Sequence, residues 1–403
     1  MTEINSAFLK ILYCALSGVK APDLHHFTPE QWDALINLSM EQKVLPMVYD
    51  VIYTQLPATQ LRSVVRQQVT MQTIKTDAFL QLYRAWTKAD VVPIVVKGLV
   101  CRSLYPKPDH RPSSDEDVLV SPEQLTQAMA VLEEYGLSTG ETDPEADEFP
   151  YKGKQTPIYI ELHQSLFSPK SESYGHWNSL FSTAKDSSYY ITYENVAVRT
   201  LLPTQHLLYM LCHTLKHFVH SGFGIRQVCD MVLFANHYGS EIDWQLLLKQ
   251  CADIHAEQFA AAIFEIGRKY LTFDTMRSCY PTQWSEIKVD PEALLEDLFC
   301  SGIYGTASTA RVHSSNMTLD AMSVDRGVGR KVSVLGSVFP AAHKISGRYP
   351  YLKKHPWMLP AAWTHRIFKY GKELKSHGAA DAMESVQIGN QRIRLLRQYG
   401  VIK

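Results

Sequence analysis

Three carboxylates carry the strongest chemical signal in this chain. Asp115 and Asp117 stand two apart in DEDVLV (115–120), a run that reads as a β-strand opening on acids. Side chains alternate faces along a strand, so Asp115 and Asp117 project to one side and Glu116 to the other. Two carboxylates about 7 Å apart on one strand can share a pair of Mg²⁺ ions roughly 3.5–4 Å from each other. Glu161 lies between Ile160 and Leu162 in IYIEL (158–162), a second apolar strand. An ionised carboxylate there is costly to bury without a counter-charge, and a metal supplies one. Setting the two strands side by side brings the third carboxylate to the same two ions. A DxD pair by itself is weak, because a chain of this length contains about one by chance. Its weight comes from Glu161 on an apolar strand and from Lys97-Gly98 at the end of another.

The elements that must position these residues are legible from pattern. VVPIVV (91–96) is a β-branched run that ends at Lys97-Gly98, as a buried strand does. LVCRSLY follows as a short helix broken by Pro106 and Pro108. After DEDVLV, Ser121-Pro122 opens a helix that Gly136 closes. FPYKGK and TPIYIELHQSL then form a hairpin. This strand–helix–strand–helix–strand–strand order indicates a small α/β unit. Apolar residues at three- and four-residue spacing make residues 1–90 helical, and helices resume from Thr204. The expected fold class is α+β, a small mixed sheet embedded in a largely helical protein. Four regions are expected: helical 1–90, the α/β core 91–200, a helical domain 201–320 packed on its cleft, and a basic, aromatic helical region 321–403.

Composition narrows the class. With 403 residues, 45% hydrophobic and 20% charged, the chain can bury a large core and is not disordered. A net charge of −1 gives the whole molecule no pull towards nucleic acid. The charge is uneven, however: residues 326–403 hold fifteen Lys or Arg against three Asp or Glu, and residues 133–148 hold seven acids and no base. Seven cysteines without a CxxC spacing suit a reducing compartment. The N-terminus is a poor signal peptide, and no run approaches the roughly 18 apolar residues of a membrane span. A cytoplasmic protein without a transmembrane segment is expected.

Taken together, Lys97-Gly98, Tyr105-Pro106, Arg111 four residues before Asp115/Asp117, and Glu161/His163 on one strand resemble the uncharacterised bacterial nucleotidyltransferases of the polymerase-beta-like superfamily. The resemblance extends to GIRQVCD (224–230), DW (243–244) and YPYLKKHPWMLPAAWTHR (349–366). It implies a nucleotidyltransferase-fold core and in-line attack of an acceptor hydroxyl on the α-phosphate of an NTP, with release of pyrophosphate. On that reading Asp115, Asp117 and Glu161 hold two Mg²⁺ ions, and Glu161 assists deprotonation. Lys97, with Gly98 letting the backbone approach, would meet the β- and γ-phosphates, helped by Arg111. His163 would contact phosphate or acceptor, or form a hydrogen-bonded wall. Arg226 would reach a phosphate, or pair along its helix with Asp230. The chain departs from the superfamily pattern by lacking Gly-Ser after the first strand, where the triphosphate is usually held.

Other features stay open at this level. His213, His217 and His220 share one helix face and could chelate zinc or simply pack. The basic, aromatic C-terminal region, with Tyr349, Tyr351, Trp357, Trp363 and Phe368, could dock an acidic acceptor, RNA or a membrane surface, or be a solvated face. GVGR (327–330) is a weak phosphate-loop pattern, since no apolar strand precedes it. The acceptor is a small molecule, glycan, peptide or protein, with RNA as a further candidate. Alternative functions are a toxin or defence nucleotidyltransferase acting on RNA or protein, transfer of the terminal phosphoryl group, and a non-catalytic nucleotide-binding module.

Overall fold

A computed structural model describes residues 1–56, 61–140, 147–301, 309–325, 327, 349 and 351–403. Residues 141–146 of the acidic run, most of GVGR and much of the basic run after it lie outside the described residues.

Four helices open the chain: α1 (Glu3–Ser17), α2 (Pro29–Glu41), α3 (Leu45–Ile52) and α4 (Leu61–Lys88). Thr2 caps α1, and Thr28 with Gln31 forms a capping box on α2, which satisfies amides that a helix start leaves free. The sheet begins with β1 (Ile94–Val96), followed by α5 (Gly98–Arg102), β2 (Glu116–Leu119), α6 (Pro122–Glu134), β3 (Leu137–Ser138), β4 (Glu148–Gly153) and β5 (Tyr159–His163). As the alternation of residue types predicts, β4 and β5 pair as an antiparallel hairpin. A second hairpin, β6 (Tyr189–Tyr193) and β7 (Val196–Thr200), completes the sheet. Its turn is Glu194-Asn195, both with positive φ, the form that a tight two-residue hairpin needs.

The seven strands lie in the order β3-β4-β5-β2-β1-β7-β6. β2 runs antiparallel to β1 and parallel to β5, and β1 runs parallel to β7, so the sheet is mixed. Its central strands are buried on both faces, which is why VVPIVV is uninterruptedly apolar. One face meets α4 and α6, where the Trp86 indole donates to the Ala128 carbonyl at 3.1 Å. Helices α7 (Pro203–His220), α8 (Ile225–Tyr238), α9 (Trp244–Asp253) and α10 (Glu257–Tyr270) follow. A break at His255, with φ 57°, separates α9 from α10. Towards the C-terminus come α11 (Thr282–Ser285), α12 (Pro291–Ser301), α13 (Thr309–Asp325), the single turn α14 (Tyr351–Lys354) and the long α15 (Leu359–Gln398).

These last helices are tied to α7 through its carbonyl end. Arg311 donates to the Ser221 carbonyl at 2.5 Å and pairs with Asp297 at 2.6 Å, Thr318 donates to the Val219 carbonyl, and Arg392 donates to that of Phe218. Cationic donors at a helix C-terminus meet both its unpaired carbonyls and its negative dipole end. Among the described residues no helix is long and apolar enough to cross a membrane.

One local contact locks α5 onto the sheet. Glu116 leaves β2 on the face opposite Asp117, accepts from the Leu99 amide at 2.8 Å and pairs with the buried Arg102 at 2.6 Å. Gly98 makes room for it, because a Cβ there would lie 1.9 Å from Glu116 Oε2. Gly98→Ala should therefore break the buried pair and cost about 3–5 kcal/mol of stability in denaturant unfolding. A loss below about 1 kcal/mol, the range of exposed pairs, would mean that the contact is not buried in solution.

Candidate active site

Strand register brings the functional carboxylates together. In the parallel β2–β5 pair Asp117 stands opposite Glu161 and Leu119 opposite His163, while β1 sets Val96 beside Asp117. Neighbouring strands are only about 4.8 Å apart, so the side chains on this face crowd. His163 Nε2 lies 3.3 Å from Asp117 Oδ1 and 3.9 Å from Glu161 Oε2. One ligand atom from each of Asp117, Glu161 and His163 falls within 4.8 Å of the others, a spacing that can hold one metal ion. Asp117 and His163 are buried, whereas Glu161 keeps 24% of its side chain exposed and opens the group to solvent.

Lys97 supplies the protein's own positive charge here. Its ammonium lies 2.9 Å from Asp117 Oδ2 and 2.7 Å from His213 Nε2 on α7. The backbone at Lys97 is unusual, with φ 58° and ψ −117°, in the region that favours glycine. His206 on α7 holds it there: the Lys97 amide donates to His206 Nε2 at 3.0 Å. His206 must then carry its proton on Nδ1 and donate it to the Thr200 hydroxyl at 3.1 Å, which in turn donates to the Val95 carbonyl at 2.6 Å. Burial, reinforced by Lys97, pushes His206 down to about 3, so its ring stays neutral and fit for that role. Burial and Lys97 also hold His213 well below the usual histidine range, and His217 falls to about 3.

The carboxylates split in opposite directions. Burial would raise Asp117, but Lys97 and His163 outweigh it and hold its carboxyl well below the ordinary range. Glu161 lies 3.9 Å from His163, farther than Asp117 does, and burial, then the charges of Asp117, Asp115 and Glu148, push it up to about 8. Burial would lower Lys97, but Asp117 and Asp115 prevail and raise it, so it stays a cation. The result is a permanently ionised acceptor beside a carboxyl able to exchange a proton near neutrality.

Several residues sit differently from their expected roles. Asp115 precedes β2 and takes a hydrogen bond from Ser114 at 3.0 Å; the three-residue group contains His163 in its place. Arg111 faces Asp230, donating through Nε and Nη2 at 2.7 Å each, and Tyr105 donates to the same carboxylate at 2.7 Å. Asp230 is thereby occupied, and Arg226, expected as its helical partner, donates to the Pro112 carbonyl. Gly98 and the start of α5, expected to receive phosphates, face the Glu116 carboxylate. His213 contacts Lys97 and His217, while His220 meets Tyr174 at 3.2 Å; among the described residues the three do not form a metal-ligand group. The parts played by His206 and His213 carry no local signal, since helix α7 reaches them to Lys97 across more than a hundred residues.

A mixed sheet whose neighbouring strands present acidic side chains on one face, with helices closing that face, is the α+β nucleotidyltransferase fold. A family model described as uncharacterised nucleotidyltransferase matches residues 28–272, and the chain belongs to that family. No curated protein and no solved structure matches the chain.

The raised Glu161 has a measurable consequence. Its folded value of about 8 exceeds the ordinary 4.5, so across that window the folded protein holds a proton that the unfolded chain has lost. The stability associated with that proton is present below 4.5 and falls as pH rises towards 8. A divalent ion binding at pH 7 must displace the proton. Calorimetry of Mn²⁺ binding in buffers of different ionisation enthalpy should show release of about one proton per ion. Glu161→Gln should abolish that release. Binding of Mn²⁺ by the wild type with no proton release would show that Glu161 is already ionised.

Proposed function

We propose that the chain transfers a nucleoside monophosphate from an NTP to an acceptor hydroxyl, releasing pyrophosphate. The observation that carries this reading is the side-by-side placement of Asp117 and Glu161 on parallel strands, completed by His163. A divalent ion held by Asp117, Glu161 and His163 would lower the acceptor hydroxyl's pKa and offset phosphate charge. Oxygen donors suit Mg²⁺, and the imidazole widens the choice to Mn²⁺. Asp115, just ahead of the strand, is the residue through which a second ion would be shared.

The chain's own groups divide the remaining work. Glu161, partly open to solvent and tuned towards neutrality, receives the acceptor's proton. Asp117 stays ionised because Lys97 and His163 face it. Lys97 keeps a fixed positive charge beside the reacting phosphate, held by His206 and His213. The neutral histidines and Tyr209 of α7 wall the face against water. The acceptor belongs to the class of hydroxyl-bearing small molecules, glycans, peptides or proteins, with RNA as the alternative.

The test is label transfer from each α-³²P NTP, with Mg²⁺ or Mn²⁺, to acceptors in host lysate. Wild type should transfer label, and Glu161→Gln should lose roughly 10²–10⁴-fold in rate, the usual contribution of a general base. Asp117→Asn should be inactive too, but it leaves Lys97 without its counter-ion and so needs a parallel unfolding measurement. Transfer undiminished in folded Glu161→Gln would sink the assignment. Nucleotide binding without transfer by wild type would make the chain a binding module.

A further inference from the structure

The start of α5, where a nucleotidyltransferase would be expected to seat its triphosphate, is filled by the Glu116 carboxylate. If NTP is the substrate, the polyphosphate needs positive charge elsewhere. Beside the loop that leads into β2, three cations come from three separate elements. Lys75 on α4 donates to the Ser113 carbonyl at 3.1 Å, and Arg226 in the first turn of α8 donates to the adjoining Pro112 carbonyl. Lys43 follows α2, whose last turn is fastened to α8 through Gln42, the acceptor for the Ile225 amide at 2.8 Å.

Among the described residues none of the three is neutralised by a carboxylate in contact. Among the described residues the Lys43 ammonium has no hydrogen-bond or ion-pair partner, and Arg226 Nε is buried and unpaired. Lys43 also holds φ 52°, in a helix-ending position where glycine is favoured, so a cationic side chain is kept there at a conformational cost. Burial lowers both lysines, and Arg226 depresses Lys43 further. Arg102 and Arg111 nearby are each matched by an acid, Glu116 and Asp230 respectively. Glu116 also acts on Lys75 and Asp230 on Arg226, but each of those carboxylates is already matched by an arginine; Asp115 acts on all three cations, so the group has more positive than negative charge. Asp115 also acts on Lys97 and Glu161, and the loop that carries the Pro112 and Ser113 carbonyls leads directly into the strand that bears Asp117.

We propose that Lys43, Lys75 and Arg226 form the polyphosphate-binding subsite, receiving the β- and γ-phosphates of an NTP whose α-phosphate lies at the Asp117–Glu161 face. This subsite rests on the nucleotidyl-transfer reading for its ligand, while its position rests on the cations themselves. Flexible ammonium groups and a guanidinium with an unused N–H suit a tail of several anionic oxygens. A polyphosphate would also satisfy Arg226 Nε.

Titration of the full chain with inorganic tripolyphosphate in the presence of Mg²⁺ tests the site without presuming a base. Wild type should bind it, with affinity falling as salt rises. Lys43→Gln should weaken binding by at least about tenfold, the loss of one charge-assisted hydrogen bond, and Lys43→Arg should restore it. Arg226→Lys should bind more weakly than wild type. Mn²⁺ binding followed by paramagnetic resonance should be equal in wild type and Lys43→Gln, which would exclude collapse of the carboxylate face. Equal tripolyphosphate affinity in wild type and Lys43→Gln, or no binding by wild type, would overturn the subsite. If Lys43→Gln transfers label with an unchanged KM for NTP, the subsite falls and the transferase reading stands. If no NTP is used by wild type but tripolyphosphate binding depends on Lys43, the transferase reading falls and the cation site stands.

Discussion

Backbone pairing of β2 with β5 places Asp117 directly beside Glu161, and the rest of the site answers that constraint. Two carboxylates one strand spacing apart repel each other, and one of them is almost wholly removed from water. The chain meets this with Lys97, brought to Asp117 from the end of the neighbouring strand. That contact explains the left-handed backbone at Lys97, the His206 hydrogen bond that secures it and the neutral His213 that receives its second N–H. The ion pair protects Asp117 but leaves Glu161 under-compensated, so the two carboxyls diverge in acidity although they are neighbours.

Strand alternation separates structural from chemical charge. Glu116, between the two aspartates, points to the other face and is spent on Arg102 and the start of α5. Asp230, Arg111 and Tyr105 form a second buried cluster that ties α8 to the loop before β2. Removing one partner from such a cluster leaves an unpaired charge, which gives these pairs their hold on local geometry. They keep the loop 111–115 in place, and that loop delivers Asp115 and the Pro112 and Ser113 carbonyls to their cationic neighbours.

Helix α7 serves both as wall and as anchor. Its middle carries His206, Tyr209 and His213 against the carboxylate face, and its C-terminal carbonyls are capped by Arg311, Thr318 and Arg392 from the last helices. Part of the basic character of the C-terminal region is therefore internal: Arg392 is buried at a helix end and does not face solvent. The last segment of the chain thus contributes to holding the face that the first strands define.

The local pattern of residues determined the strands around Asp117 and Glu161, the β4–β5 hairpin and the helical surroundings, because burial imposes a period on apolar residues that can be read along the chain. It also singled out Asp117, Glu161 and Lys97, since an ion at the end or in the middle of an apolar strand must find a partner. The β6–β7 hairpin was not singled out by the sequence, because its Glu194-Asn195 turn lacks the glycine that usually marks one. Tertiary structure alone decided the pairings. Arg111, expected at a phosphate, met Asp230, Arg226 turned to Pro112, Gly98 admitted Glu116, and His163 came within ligand distance of Asp117 and Glu161. Periodicity reports which face of an element is buried, whereas the partner of a buried charge depends on which distant element is packed against that face. Helices more than a hundred residues from Lys97 settled it here, and no local spacing encodes that distance.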